Sequence, residues 1–387
     1  MLTPQAGALT MRTRVVIAGG GVAALETLIG LRARTRRPCD VTVVAPQPDF
    51  VMRPLEISEP FGYERARRYA LTDLVSGQGA RLLAEAVVEV VPDERVAVLG
   101  SRRRLAYDVL VLAVGARAVP PFEHGVLFDR RADASAFDDA LGDLGAGLAG
   151  GMAVVVPPAA GWTLPAYELA LATAQWGQDR GLELPVTLVT AERRPLDAFG
   201  GRASRAVARI LAEAGVHVLA GEVAQVESDT ALRLGDSGTW LTADRIVSLP
   251  VAAGPAIPGV PADDRGFVPV DDRGRVPGVD GVYAAGDGTA GPIKQGGLAA
   301  QQADAVVEDI AGMTRGDTVL PPRRLLRGLL RTADRPRYLR AELDDPDGTS
   351  TISREPLWRP PSRIASVWLS PELEHIDASA AAGAGAD

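Results

Sequence analysis

The run Arg14-Val15-Val16-Ile17-Ala18 ends directly in Gly19-Gly20-Gly21-Val22-Ala23-Ala24-Leu25-Glu26, and few folds have a use for such a junction. A buried parallel strand that turns at once into a helix needs glycine at the reversal and small residues where helix meets strand. Gly19 permits the tight turn, Gly21 lets a pyrophosphate approach the backbone, and Ala24 keeps the helix close. The unsatisfied N–H groups of the helix start are then free for phosphate oxygens. The pattern points to an α/β dinucleotide-binding unit that serves NAD or FAD, with a merely structural turn as the plain alternative.

A second junction near the other end narrows the choice. Val282-Tyr283-Ala284-Ala285 runs into Gly286-Asp287, and Pro292-Ile293-Lys294-Gln295-Gly296-Gly297 then opens another helix. A chain needs this arrangement when it closes over the far, flavin end of an extended FAD. Asp287 suits a ribityl hydroxyl, unless it is an exposed turn residue. The helix start and Lys294 suit negative charge at the N1/O2 edge of a flavin, unless Lys294 is simply a solvated lysine. Between the two junctions, Tyr107-Asp108-Val109-Leu110-Val111-Leu112-Ala113-Val114-Gly115-Ala116 reads as a third buried strand ending in glycine. The three together indicate FAD.

Composition removes several function classes. The net charge of −8 argues against nucleic acid as a partner. Cys39 is the only cysteine, so a redox-active disulfide within one chain is impossible. With three histidines and no cysteine cluster, no metal-site spacing is present. The uncharged run from Ala146 to Tyr167 is broken by Pro157, Pro158 and Pro165, which rules it out as a spanning helix. Met1 to Thr10 lacks a basic, apolar leader pattern, and a cytoplasmic protein is expected. Lys294 is the only lysine among 41 basic residues, and there is no asparagine, a usage that follows from a strongly GC-biased genome.

Periodicity predicts strands at 14–18, 41–45, 81–91, 95–99 and 107–114, with helices at 21–34 and 71–77. A second α/β unit follows: strands at 152–156, 186–190 and 216–219, helices at 165–175 and 204–214. The strands at 245–249 and 282–285, with a helix at 297–311, read as a return to the first unit. The expected organisation is therefore an FAD-binding domain (12–120 and 245–315) interrupted by a degenerate NAD(P)-binding-like domain (121–244). A small C-terminal domain (316–376) and a disordered low-complexity tail (377–387) complete it.

Two departures stand out. The second strand ends in Ala45-Pro46 rather than in an acid for the ribose, so Glu26, Asp49 or backbone groups would have to compensate. In the second unit, matching Glu168 to Glu26 puts Gly161, Thr163 and Ala166 where three glycines belong. That suits a retained fold with weak or absent nicotinamide binding, although Glu192, Arg193 and Arg194 remain available for a ribose or 2′-phosphate. The run Arg323 to Arg331 either lies on an anionic membrane surface or packs its leucines on a partner domain or second subunit, which leaves a homodimer open.

On the glycine turn, Ala113-Val114-Gly115, Tyr283–Asp287 and Lys294-Gln295-Gly296, the chain resembles a branch of the two-dinucleotide-binding flavoproteins. That branch comprises sulfide:quinone oxidoreductases and type II NADH dehydrogenases. The chain is also similar to the flavoprotein subunit of flavocytochrome c sulfide dehydrogenases. Pro336-Arg337-Tyr338-Leu339-Arg340 and Pro356-Leu357-Trp358 resemble pieces of the branch's third domain. The resemblance implies two Rossmann-like domains as in glutathione reductase. It implies cofactor contacts at Gly19, Gly21, Ala23, Ala24, Glu26, Arg53, Pro54, Val87, Ala113, Gly115, Gly286, Asp287, Lys294 and Gln295, with Lys294 as the candidate catalytic group. Phe50 and Met52 either line the isoalloxazine or belong to the core. Sulfide oxidation in that branch runs through cysteines that this chain lacks. The expectation is an FAD-dependent oxidoreductase passing two electrons from an unidentified donor to a quinone or other carrier. An NAD(P)H-dependent reductase and a non-catalytic flavin-binding subunit are the alternatives.

Overall fold

The computed structural model describes residues 13–35, 39–130, 133–235, 238–315 and 324–384. Its first sheet has five parallel strands in the order Val282–Ala284, Val109–Leu112, Arg14–Ala18, Asp40–Val44 and Arg81–Leu83. Alternation along the first strand decides what covers each face. Val15 and Ile17 pack with Leu25 and Leu28 of the helix Val22–Arg34 and with Val306 and Ile310 of the helix Gly296–Arg315. Val16 and Ala18 face an antiparallel meander, Val87–Val91, Val96–Leu99 and Arg104–Ala106. Both faces are dry, which is why the strand reads as an unbroken apolar run. The chain leaves the first strand to one side and returns later on the other. The crevice between Gly19 and Ala113 is therefore the topological switch point, where this fold class binds ligands.

The second sheet is also parallel, in the order Val126–Leu127, Arg245–Ser248, Met152–Val156, Val186–Thr190 and Val216–Ala220. Arg245–Ser248 pairs with Met152–Val155, so the expected return to the FAD domain at 245 falls one strand too early. An apolar run reads alike in either sheet, and only the pairing assigns it. The return comes with Val251–Ala253, which pairs antiparallel with Arg117–Val119.

The third unit is an antiparallel sheet of Leu325–Leu330, Arg337–Glu342 and Thr351–Ser353, followed by a helix, Leu369–Ala384. The described part of the arginine-leucine run, from Arg324, is thus an edge strand with Leu326 and Leu330 fully buried. Its Gly328 sits on the second domain, where an added Cβ would come within 2.7 Å of Leu164 and Phe199. The tail expected to be disordered is helical as far as Ala384, because alanine favours helix even where complexity is low. The helix Ser135–Gly145, unforeseen in the sequence, buries Phe137, Ala140, Leu141 and Leu144. The predicted strand 81–91 is two strands, Arg81–Leu83 and Val87–Val91, in different sheets. No described helix is long and apolar enough to cross a membrane. Met1 to Thr10 and Arg323 lie outside the described residues.

Candidate functional site

At the first junction Gly19 has φ +126°, and a Cβ there would stand 2.1 Å from the Ala113 carbonyl oxygen. Two strand ends can approach this closely only through glycine. Gly19 N donates to Val44 O at 2.8 Å, and Ala113 N donates to Ala18 O at 2.7 Å, so the turn is anchored on both sides. Around Gly21, the N-cap of its helix, a Cβ would meet nothing within 4 Å. That open space lies over the unsatisfied N–H groups of the first turn, as a pyrophosphate requires.

The other junction closes on the first. A Cβ on Gly286 (φ +86°) would meet the Ala23 side chain at 3.1 Å, and one on Gly288 would meet Gly115 O at 2.9 Å. Gly286 N donates to Gln302 Oε1 at 2.7 Å, and Thr289 Oγ1 donates to Gly286 O at 2.9 Å. The fold thus gathers Gly19, Gly21, Ala23, Ala24, Ala113, Gly115, Gly286 and Asp287 at one end of the first sheet. These residues fit an extended FAD, with glycine wherever backbone must come close.

Three of the expected contact residues have structural work. Glu26 is fully buried, and its carboxylate accepts from the backbone N–H of Val367, Trp368 and Leu369 at 2.7, 2.9 and 2.6 Å. It caps the final helix, and this corrects its assignment as a substitute for the ribose acid. Gln295 accepts from Leu298 N at 2.9 Å and donates to Arg327 O at 3.0 Å, so its side chain caps a helix and ties down the third sheet. Val87 is buried in the apolar layer with Val44 and Leu112. At the end of the second strand, Gln47 places its Nε2 2.8 Å from where a Cβ on Gly20 would stand. This exposed amide beside the turn is a candidate polar group that a search for an acid overlooks.

Lys294 Nζ donates to Thr289 O at 2.5 Å and lies 3.8 Å from the centre of the Phe267 ring. Desolvation lowers its pKa, and Asp287 partly opposes the shift. Its backbone N–H donates to Gly161 O at 2.8 Å, which joins the two dinucleotide domains. Arg53 and Pro54 form a 3₁₀ turn, with Arg53 paired to Glu56 at 3.7 Å.

In the second domain Glu192 lies just past the end of the strand Val186–Thr190. It accepts from Thr163 Oγ1 (3.1 Å), Tyr167 OH (2.6 Å), Thr190 Oγ1 (3.3 Å) and Asp197 N (3.2 Å). Burial raises its pKa against these donors. Arg193 and Arg194 pair with Asp197, and Arg194 also reaches Asp347 at 3.0 Å. Thr163 and Glu192 thus satisfy each other.

Two cavities flank the 3₁₀ turn. One of about 910 Å³ lies between Met52, Leu55 and Tyr69 on one side and Arg331, Arg363 and Leu373 of the third unit on the other. The second, of about 230 Å³, lies between Arg53, Ala116 and Asp287 and the second domain's Phe128 and Arg130.

Residues 13–303 match the model of the family described as pyridine nucleotide-disulphide oxidoreductase. No curated protein matches the chain. The fold is similar to the sulfide:quinone oxidoreductase of the hyperthermophilic bacterium Aquifex aeolicus, with TM-score 0.78 and 20% identity over 88% of this chain and 86% of that one. It is also similar to putidaredoxin reductase in its covalent complex with putidaredoxin, with TM-score 0.63 and 20% identity over 85% and 81%. A ferredoxin reductase from Rhodopseudomonas palustris superposes with TM-score 0.64 and 17% identity over 86% and 83%. The family match covers most of the chain and includes all three converging motifs, so the chain belongs to the pyridine nucleotide-disulphide oxidoreductase family and is an FAD-dependent oxidoreductase.

Proposed function

We propose that this enzyme takes two electrons from a donor other than NAD(P)H and passes them to a quinone or another carrier, without a redox disulfide. The observation that carries the reading is the network around Glu192. The carboxylate that would hold the adenosine ribose of a nicotinamide dinucleotide is already satisfied by Thr163, Tyr167, Thr190 and the backbone of Asp197. A nucleotide would have to displace these partners and leave buried polar groups unpaired, at a cost of about 1–3 kcal/mol each. The disulfide route is closed within one chain, since Cys39 is alone, buried and made less acidic by desolvation.

FAD supplies the electron chemistry when bound. The chain's own residues do the holding. The Gly19–Gly21 turn and the helix start receive the pyrophosphate, Gln47 the ribose end, Asp287 the ribityl chain and the helix start at Gly296 the flavin's pyrimidine edge. Lys294 contributes positive charge there, with Asp287 favouring its charged form. For the acceptor, the cavity of about 910 Å³ offers an apolar wall of Met52, Leu55 and Leu373 below a charged rim. That combination suits a quinone ring with polar edges. One relative is named for a quinone and two for protein reductases of small redox carriers, which supports a carrier as acceptor.

The test is anaerobic mixing of the purified flavoprotein with NADH, NADPH and a reduced quinone. The flavin band should persist with both nicotinamides and bleach with the quinol, the carrier reaction run backwards. Rapid bleaching by either nicotinamide would sink the claim of a different donor. Failure of all three to bleach it would favour the non-catalytic subunit.

A further inference from the structure

We propose that Tyr69 and Asp377 form the proton relay of the cavity of about 910 Å³, carrying a proton between a quinone oxygen and solvent. The proposal rests on the reading of that cavity as the quinone site. Both residues line it, and they reach it from different units: Tyr69 from the strand Arg68–Ala70 of the first domain, Asp377 from the final helix Leu369–Ala384.

The phenol is fixed in place. Arg68–Ala70 pairs antiparallel with Asp49–Val51, which sets Tyr69 opposite Phe50 with ring centres 6.2 Å apart. Tyr69 is 8% exposed and shares the wall with Met52 and Leu55, against which a quinone ring would lie. Its O–H donates to Asp377, 3.0 Å from each carboxylate oxygen. A phenol oxygen that donates one bond can still accept another, so Tyr69 can meet a quinol O–H while it holds Asp377. The Asp377 side chain is 32% exposed and also pairs with Arg67, so the carboxylate spans the distance from the buried phenol to water. Burial and the Asp377 carboxylate raise the Tyr69 pKa, and Arg67 partly opposes the shift. The phenol therefore stays protonated near neutral pH and acts as a relay. Arg331 and Arg363 also line the cavity, but they are held by Glu64 and Glu168, and a guanidinium does not give up its proton.

Reducing a quinone to a quinol takes up two electrons and two protons. Two electrons and one proton arrive together, as a hydride equivalent from the reduced cofactor. The second proton comes from solvent through Asp377. As the quinone oxygen forms its O–H bond, the Tyr69 O–H breaks and the proton on Asp377 passes to the phenol oxygen. Asp377 ends as the carboxylate it began as. Quinol oxidation exchanges the same bonds in reverse.

The experiment mixes the FAD-loaded protein anaerobically with decylubiquinol over a range of concentrations and follows flavin bleaching. Tyr69→Phe keeps the ring, and Asp377→Asn keeps an acceptor for the phenol that cannot take its proton. Each should lower the limiting rate about a hundredfold. The half-saturating concentration should move by less than about threefold, since the loss falls on the chemical step. The flavin's two-electron potential, read by dye equilibration, should not move in either variant. Where Tyr69→Phe purifies without FAD, Asp377→Asn decides alone. An unchanged limiting rate, or a slowing that comes only from weaker half-saturation, would overturn the relay and leave the quinone site standing. A shifted potential would trace the slowing to the flavin and overturn the relay as well. If decylubiquinol fails to bleach the unaltered protein, the relay and the quinone reading both fall.

Discussion

Single residues decide whether this site can hold its cofactor, and glycine is the sharpest case. At Gly19 the positive φ and the 2.1 Å approach to Ala113 O act together, so Gly19→Ala must displace the strand ends that form the crevice. The variant should purify with FAD content reduced at least tenfold, read as the ratio of flavin to protein absorbance. A full flavin complement would refute the placement. The same turn was legible in the sequence because its chemistry is local, from strand to glycine to helix. Glu26, seven residues after Gly19, was not legible, because its partners Val367, Trp368 and Leu369 lie far along the chain. Lys294 is intermediate. Its position after Gly286-Asp287 was readable, whereas its bond to Thr289 O and its place over Phe267 required the fold. Lys294→Met removes a positive charge near the flavin's expected edge and should lower the two-electron potential by about 20–40 mV, taking roughly 30 mV as 1.4 kcal/mol. Dye-equilibration potentiometry would show it, and an unchanged potential would mean the ammonium does not sense the ring.

Between elements, the packed pair of helices Val22–Arg34 and Gly296–Arg315 hides a second acid beside Glu26. Asp304 is half-buried, and desolvation together with Glu26 pushes its carboxyl up to about 8, while its shielded Oδ1 lacks a hydrogen-bond partner among the described residues. In the unfolded chain this group titrates near 3.9. The folded state therefore binds the extra proton between these limits, and stability from Asp304 is fully present below about pH 4. It is lost progressively as pH rises towards 8, and little further change follows above that. Asp304→Asn keeps the shape and removes the charge, so it should stabilise the protein at pH 8.5 by an amount on the order of 2 kcal/mol. The gain should shrink towards pH 5. Denaturant midpoints across that range test it, and a gain constant with pH would exclude titration of this carboxyl as the cause. The helices themselves were readable from period and flanking glycines. The helix Ser135–Gly145 was missed although Phe137, Ala140, Leu141 and Leu144 fall on one face, because its interleaved Asp and Gly residues resemble a loop.

Across the whole molecule, equivalent acids on the two dinucleotide helices both hold the third unit. Glu26 caps the final helix from the first domain. From the second, Glu168, only 4% exposed, receives Arg363 Nη1 at 2.6 and 2.8 Å and Arg331 N at 2.7 Å. The correspondence of Glu26 and Glu168 could be aligned from the sequence, but their common purpose could not, since it depends on a docking that local patterns do not encode. The docking also explains the condition of the second domain. Gly328 on Leu164 and Phe199, with Gly200 against Pro346 O, presses the third unit onto the region around Glu192. A domain that serves as a docking platform can lose its phosphate-binding glycines and keep its fold. Arg363→Met isolates the buried Glu168 carboxylate, and breaking such a pair from one side typically costs about 3–5 kcal/mol. The loss should appear first as undocking of the third unit. Amide exchange in 325–384 should then rise well before exchange in the strand Arg14–Ala18. If both regions gain exchange together, the third unit is not a separable clamp but part of one cooperative core. If neither gains, the Glu168–Arg363 pair contributes nothing to holding the domains together.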